Sequence, residues 1–171
     1  MTVRRLRADE TALLKSLRLR SLAESPDSFA NSFADADAKP DAYWQEMTRS
    51  VTEPVRHVMF VAEEGTAPVG LAFGLVDRDP PEAAHLGGMW VDPAARGRGV
   101  GRALGDAVIA WARERGFVRI VLWVTDGNDE AIALYERLGF ARTGRLDRLR
   151  SNPSLAVFEM TLALVPQPRA S

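Results

Sequence analysis

Apolar and polar positions alternate in two distinct rhythms along this chain, and the change from one to the other divides it into elements. Val3 and Leu6 are interspersed with arginines over 2–7, which predicts a short strand. Asp9 then stands where a cap belongs, ahead of Leu13, Leu14, Leu17 and Leu22 at helical spacing, and Ser25-Pro26-Asp27 ends that helix. The stretch 27–39 is polar and reads as a loop; 40–48 reads as a second helix, with Pro40 at its start and Tyr43, Trp44 and Met47 on one side. Apolar runs at 57–62 and 69–76, joined by Glu63-Glu64-Gly65-Thr66-Ala67-Pro68, predict a hairpin. A strand over 86–91 follows, and a period of two puts His85, Gly87, Met89 and Val91 on one face. Leu104, Val108 and Trp111 mark a helix over 101–115 that stops at Gly116. A strand over 118–124, a short helix over 128–138 and closing strands over 140–146 and 155–164 complete the chain. Hairpin strands followed by strand-helix-strand-helix predict an α+β fold, a mixed sheet with helices on its faces.

Composition narrows what such a fold can do. The 171 residues suit one domain over 1–165, with 166–171 (Pro-Gln-Pro-Arg-Ala-Ser) as a flexible tail. A formal net charge of -1 gives no general attraction to nucleic acid or to anionic membranes. There is no cysteine, which removes disulfides, thiolate metal sites and a cysteine nucleophile. Arg4, Arg5 and Arg7 near the amino end are followed by no apolar leader core, so the expected location is cytoplasmic, and no metal site is expected.

The candidate chemistry centres on Arg96-Gly97-Arg98-Gly99-Val100-Gly101, which lies between an apolar strand and a helix. Glycines there remove side chains where a ligand would touch backbone, and the first N–H groups of the helix starting near Val100 have no intrahelical acceptor. A pyrophosphate can fill that gap, aided by the helix dipole. A tight strand-to-helix turn would need glycine as well. The dinucleotide fingerprint requires glycine where Arg102 stands, and the P-loop requires Gly-Lys-Ser/Thr, so neither applies. Gly87 and Gly88 have two readings, a bulge or backbone brought close to a ligand.

These residues resemble the GCN5-related N-acetyltransferases, whose acetyl-CoA signature Gln/Arg-x-x-Gly-x-Gly/Ala is matched by Arg96, Gly99 and Gly101. Met89-Trp90-Val91-Asp92-Pro93 resembles the end of the family's fourth strand. Asn128, Ala131, Leu134, Tyr135 and Gly139-Phe140 resemble its second conserved block. The resemblance implies a mostly antiparallel sheet of about seven strands, helices on both faces, and a splay between strands four and five that holds the pantetheine arm. It implies acetyl-CoA as cosubstrate and a small-molecule or peptide amine as acceptor. Homodimers are frequent in such a family. Cofactor contacts are then expected from Met89 and Val91 through their backbone, from 96–102 (Arg96, Gly97, Arg98, Gly99, Val100, Gly101, Arg102), and from Asn128 and Tyr135.

Without a cysteine or a Gly-x-Ser-x-Gly elbow, direct attack in a ternary complex is the simpler route. Tyr135 is the candidate acid, since a phenol can hydrogen-bond or protonate a departing thiolate. Family members with a fifth-strand catalytic glutamate find their counterpart here in Trp123, which argues against that subfamily. Members with a fourth-strand base find theirs in His85; Glu82, Asp126 and water compete for the role. Between 24 and 53, Glu24, Asp27, Asp35, Asp37, Asp41, Glu46 and Glu53 face only Lys39 and Arg49, an acidic lip for a protonated amine or ordinary capping and solubility. Phe29, Phe33, Tyr43 and Trp44 suggest an acceptor pocket or core packing. The alternatives to an enzyme are a non-catalytic acyl-CoA sensor and an interaction module using Arg142, Arg145, Arg148 and Arg150.

Overall fold

The computed structural model describes residues 1–52, 57–76 and 83–164; Glu53, Glu82 and the tail over 166–171 lie outside the described residues. Seven strands, β1 (Thr2–Arg5), β2 (Val58–Glu64), β3 (Ala67–Val76), β4 (Ala83–Val91), β5 (Arg119–Thr125), β6 (Ala141–Leu149) and β7 (Asn152–Ala163), form one sheet in the order β1-β2-β3-β4-β5-β7-β6. Every neighbouring pair is antiparallel except β4 and β5. The helices are α1 (Thr11–Glu24), α2 (Phe33–Asp37), α3 (Asp41–Thr52), α4 (Val100–Glu114) and α5 (Asp129–Arg137).

The alternation of β2 shows how one sheet serves two cores. Val58, Phe60 and Ala62 pack with Leu104, Val108 and Trp111 of α4, while Met59 and Val61 pack with Leu14 and Leu17 of α1 and Trp44 of α3. Both faces of the central strands are therefore buried, and each helix layer is fixed by an apolar stripe. Gly74 of β3 is where α4 comes nearest: a side chain there would start 2.6 Å from the Trp111 ring. Gly101 and Gly105, one turn apart on α4, similarly admit Leu134 of α5 and Leu138 just beyond it, whose methyl carbons would lie 2.9 and 2.5 Å from added side chains. Gly101 is thus explained by helix packing, and that packing seats Tyr135 beside the sheet.

Several predicted features change on folding. Asp9 does not cap α1; Glu10 occupies the cap position, accepts the Arg7 N–H at 2.8 Å and pairs with Arg4, which also binds Glu63 of β2. The polar stretch after α1 contains a single 3₁₀ turn (Pro26–Ser28) and the one-turn α2, started by Ser32, whose hydroxyl accepts the Asp35 N–H. In β4, Gly87 pairs with Phe73 and Trp90 with Leu71, so three steps on β4 oppose two on β3. The extra residue is a bulge at Gly88, whose φ of +57° favours glycine. It overturns the expected face: Ala84 and Leu86 point to the α4 side, which leaves His85 and Gly87 toward α1, but after the bulge Met89 and Val91 point to the α4 side. His85 and Met89 are on opposite faces.

Candidate functional site

β4 and β5 pair only at Ala83–Arg119, Ala84–Ile120 and His85–Val121, then part company. The cleft between them is a cavity of about 900 Å³ that opens to both faces of the sheet. On the α4 side it is lined by Met89, Val91, Gly97, Gly99, Val100, Gly101, Arg102, Leu134 and Tyr135; on the α1 side by Glu24, Asp27, Ser28, Phe29, Gly87 and Gly88. Trp123, Asp126 and Asn128 close the end carried by β5. Among the predicted contact residues, Met89, Val91, Arg96, Gly97, Gly99, Val100, Gly101, Arg102, Asn128 and Tyr135 all meet at this cavity. Arg98 and His85 are not part of its lining. Arg98 instead holds the Ala94 carbonyl and pairs with Glu64 at 3.0 Å.

The turn before α4 has the features of an anion seat. Gly97 and Gly99 have φ of +74° and +82°, and an added side chain at either would meet nothing within 4 Å. Gly99 caps α4 without a side-chain bond, and the first turn of this helix carries no acidic residue. Gly99, Val100, Gly101 and Arg102 line the cavity, so the leading N–H groups of this helix, which have no intrahelical acceptor, lie at its wall together with the positive end of the helix dipole. Arg96 plays a bracing part: its Nε donates to the Val91 carbonyl at 3.1 Å and its Nη2 to Glu24 at 2.7 Å. Glu24 also accepts from Trp90 at 2.9 Å and from Ser25. Partial burial pushes the Glu24 carboxyl up, but these hydrogen bonds outweigh it and hold the group below the usual carboxylate range.

Tyr135 is buried between α5 and the sheet, edge-on to Phe140 at 6.1 Å between ring centres, and burial pushes its phenol up to about 12. Asn128 combines both predicted roles: its Oδ1 accepts the Ala131 N–H at 3.3 Å as the α5 cap, while its amide donates to Ser28 and faces the cavity. The segment after α1 is tied across the cleft. The Thr125 hydroxyl donates to the Asp27 carbonyl at 2.7 Å and the Ser151 hydroxyl to the Phe29 carbonyl at 2.6 Å.

On the acceptor side, each pair of alternative readings is decided mainly for the second. Of Phe29, Phe33, Tyr43 and Trp44, only Phe29 lines the cavity; Trp44 is core, and Phe33 and Tyr43 are exposed. The acids from Glu24 onward form no continuous lip among the described residues: Asp41 pairs with Lys15, Glu46 with Arg49 and Asp35 with Ser32, and of the two at the cleft, Glu24 and Asp27, Glu24 is paired with Arg96. Arg18 of α1, a cation by sequence, is buried beside Phe29, which spacing alone does not disclose.

A family model described as the acetyltransferase (GNAT) family matches residues 18–140, which runs from the second half of α1 through the bulge, the glycine turn and Tyr135. The chain belongs to the acetyltransferase (GNAT) family. Among curated GNAT relatives, a mycothiol acetyltransferase of Salinispora tropica is 32% identical over 79% of this chain and 42% of its own length. One of Salinispora arenicola is 34% identical over 78% of this chain, again 42% of its own. The chain spans about two fifths of the length of these relatives. Among solved structures, a GNAT acetyltransferase of Streptococcus pneumoniae superimposes with a TM-score of 0.81 over 96% of this chain and 99% of its own, at 18% identity. YncA of Salmonella typhimurium, a putative acetyltransferase solved with acetyl-CoA, gives 0.78 over 100% of this chain and 98% of its own, at 20% identity. These likenesses establish the GNAT fold: a mostly antiparallel seven-stranded sheet opened between β4 and β5 and covered by helices on both faces.

Proposed function

We propose that this chain is an acetyl-CoA-dependent N-acetyltransferase that passes an acetyl group directly to the primary amine of a small molecule or peptide. The observation that carries this reading is the cleft itself, which joins an anion seat at Gly97–Gly101 to a buried phenol at Tyr135 through a gap in the sheet. The fit to acetyl-CoA is chemical: bare glycine backbone and unfilled α4 N–H groups suit a pyrophosphate, and the edge of β4 that β5 leaves beyond His85 suits an amide-bearing arm. Bound there, acetyl-CoA supplies an activated thioester.

The residues of this chain then divide the work. Backbone of Met89 and Val91 orients the arm, with Arg96 fixing Val91 from behind. Asn128 and Arg102 complete the walls. Tyr135, neutral throughout the physiological range because burial opposes its ionisation, donates its phenolic proton or a hydrogen bond to the departing sulfur. The acceptor amine enters from the α1 side and must lose a proton before it attacks. Asp126 borders the cavity and can take that proton directly, whereas His85, on the α1 face below Gly87, serves through a water.

The test is release of CoA thiol from acetyl-CoA across a panel of amino acids, polyamines, aminoglycosides and peptide amino termini; this chain has no thiol of its own to add background. Acceptor-dependent release that is lost in Tyr135→Phe supports the enzyme. Tight acetyl-CoA binding without release for any amine would favour a sensor, and no binding would overturn the cleft as the cosubstrate site.

A further inference from the structure

Among the described residues, one buried cation stands without the partner its surroundings demand. Arg18 lies on the buried side of α1, between Leu14, Leu17 and Leu22, and is only 8% exposed. Its Nη1 is fully buried and has no hydrogen-bond partner among the described residues. Its guanidinium carbon sits 4.8 Å from the centre of the Phe29 ring, and the group receives no favourable charge from any described carboxylate. Burial alone pushes it down to about 10. An aliphatic side chain would satisfy the helix packing at this position at no such cost, because an uncompensated buried charge is among the most unfavourable features a core can hold.

The direction of the orphan donor gives the cation a use. Nη1 lies 3.5 Å from the point where a side chain on Gly88 would begin. Gly88 is the bulge residue of β4, bare by necessity of its backbone angle, and Gly88 and Phe29 both border the cleft on the α1 side. Arg18 is not itself part of the cavity's lining; it stands directly behind Phe29 and the bare backbone of Gly88, which are. Gly88 is also the immediate neighbour of Met89, about 3.8 Å away along the backbone, where the thioester is to be held. Glu24 and Asp27 line the same half of the cleft. Glu24 is already paired with Arg96, so a ligand here meets the negative charge of Asp27 at the mouth and the guanidinium of Arg18 behind the bulge.

We propose that Arg18 is the acceptor-specificity residue, receiving the carboxylate of a small zwitterionic amino acid whose amine is the group acetylated. The inference rests on the acetyltransferase reading above and names its substrate class. A planar monoanion matches a single guanidinium, which offers N–H donors to a carboxylate, and Asp27 at the mouth complements the ammonium end of the same molecule. A purely cationic polyamine would place nothing on Arg18.

The experiment compares amino acids with their own carboxamides, and aminoalkyl phosphates with the corresponding amino alcohols, as acceptors for wild type, Arg18→Met and Arg18→Lys. The expected result is at least a tenfold preference for acid over amide in wild type, carried by the acceptor KM. Arg18→Met drops the acid to the level of the amide, Arg18→Lys restores part of the preference, and the KM for acetyl-CoA stays within twofold. The thermal midpoint of Arg18→Met should be unchanged or higher, where a merely structural arginine would lower it. Equal use of acid and amide by wild type, or a preference that survives Arg18→Met, overturns the proposal. A preference for the phosphate pair overturns the carboxylate assignment. Acetyl-CoA binding with turnover of cationic amines alone overturns it while leaving the acetyltransferase intact; failure to bind acetyl-CoA removes both.

Discussion

Tyr135 illustrates how a single residue's environment sets its task. Replacing it by phenylalanine keeps the packing against Phe140 and removes only the hydroxyl, so kcat should fall by roughly 10²- to 10⁴-fold with little change in the KM for acetyl-CoA. Steady-state kinetics on both substrates check this. The chain has two tyrosines, and the difference between alkaline titrations of wild type and Tyr135→Phe should show the buried phenol ionising near pH 12. Because the folded state holds this proton more tightly than an unfolded chain does, the associated stability is complete below about pH 10 and is lost as the pH rises toward 12. Activity should therefore show no decline from phenol ionisation below about pH 10. At this scale the sequence was informative wherever chemistry and spacing coincided, as at Gly99, Asn128 and Tyr135. It was silent on Arg18, because burial of one helix position is decided by the elements that close over it, and on the engagement of Arg96 with Glu24, which are far apart in the chain.

Among the elements, the glycines of β3 and β4 govern the geometry. Gly74→Ala would push a methyl group into the Trp111 ring, a fully buried side chain with nowhere to move, and should cost about 1–3 kcal/mol in a urea melt without altering the site. Gly88→Ala combines a positive φ with a 2.7 Å approach to Phe73. It should both destabilise the fold and raise the acceptor KM, since the bulge shapes the acceptor half of the cleft. The order and type of almost every element could be read from period and punctuation. The bulge could be suspected from two adjacent glycines, but its effect on facing could not, since that depends on how many residues of β3 oppose them. Likewise α2 is not legible because five residues are too few to show a period, although Ser32 and Asp35 carry its cap signal.

For the molecule as a whole, the chain after α1 ties the two halves of the sheet together on the acceptor side. Its bonds from Thr125 and Ser151 reach residues nearly a hundred or more positions away. Thr125→Val should therefore cost about 1 kcal/mol and raise the acceptor KM more than that of acetyl-CoA, as denaturant melts and two-substrate kinetics would reveal. No described helix is long and apolar enough to cross a membrane. The opposite edge of the sheet is β6, whose exposed arginines are partly spent within the molecule, Arg142 over Phe158 and Arg145 on Glu159. The parting of β4 from β5 has a dynamic consequence as well. With only three residue pairs joining them, the sheet amounts to two plates sharing a short hinge at 83–85 and 119–121. Amide hydrogens facing the gap should exchange with solvent far faster than those shared with β3 and β7, and acetyl-CoA should slow them selectively by bridging the plates. Acetyl-CoA bound there would then act as a removable rung, and the mechanical integrity of this protein would rise and fall with its supply.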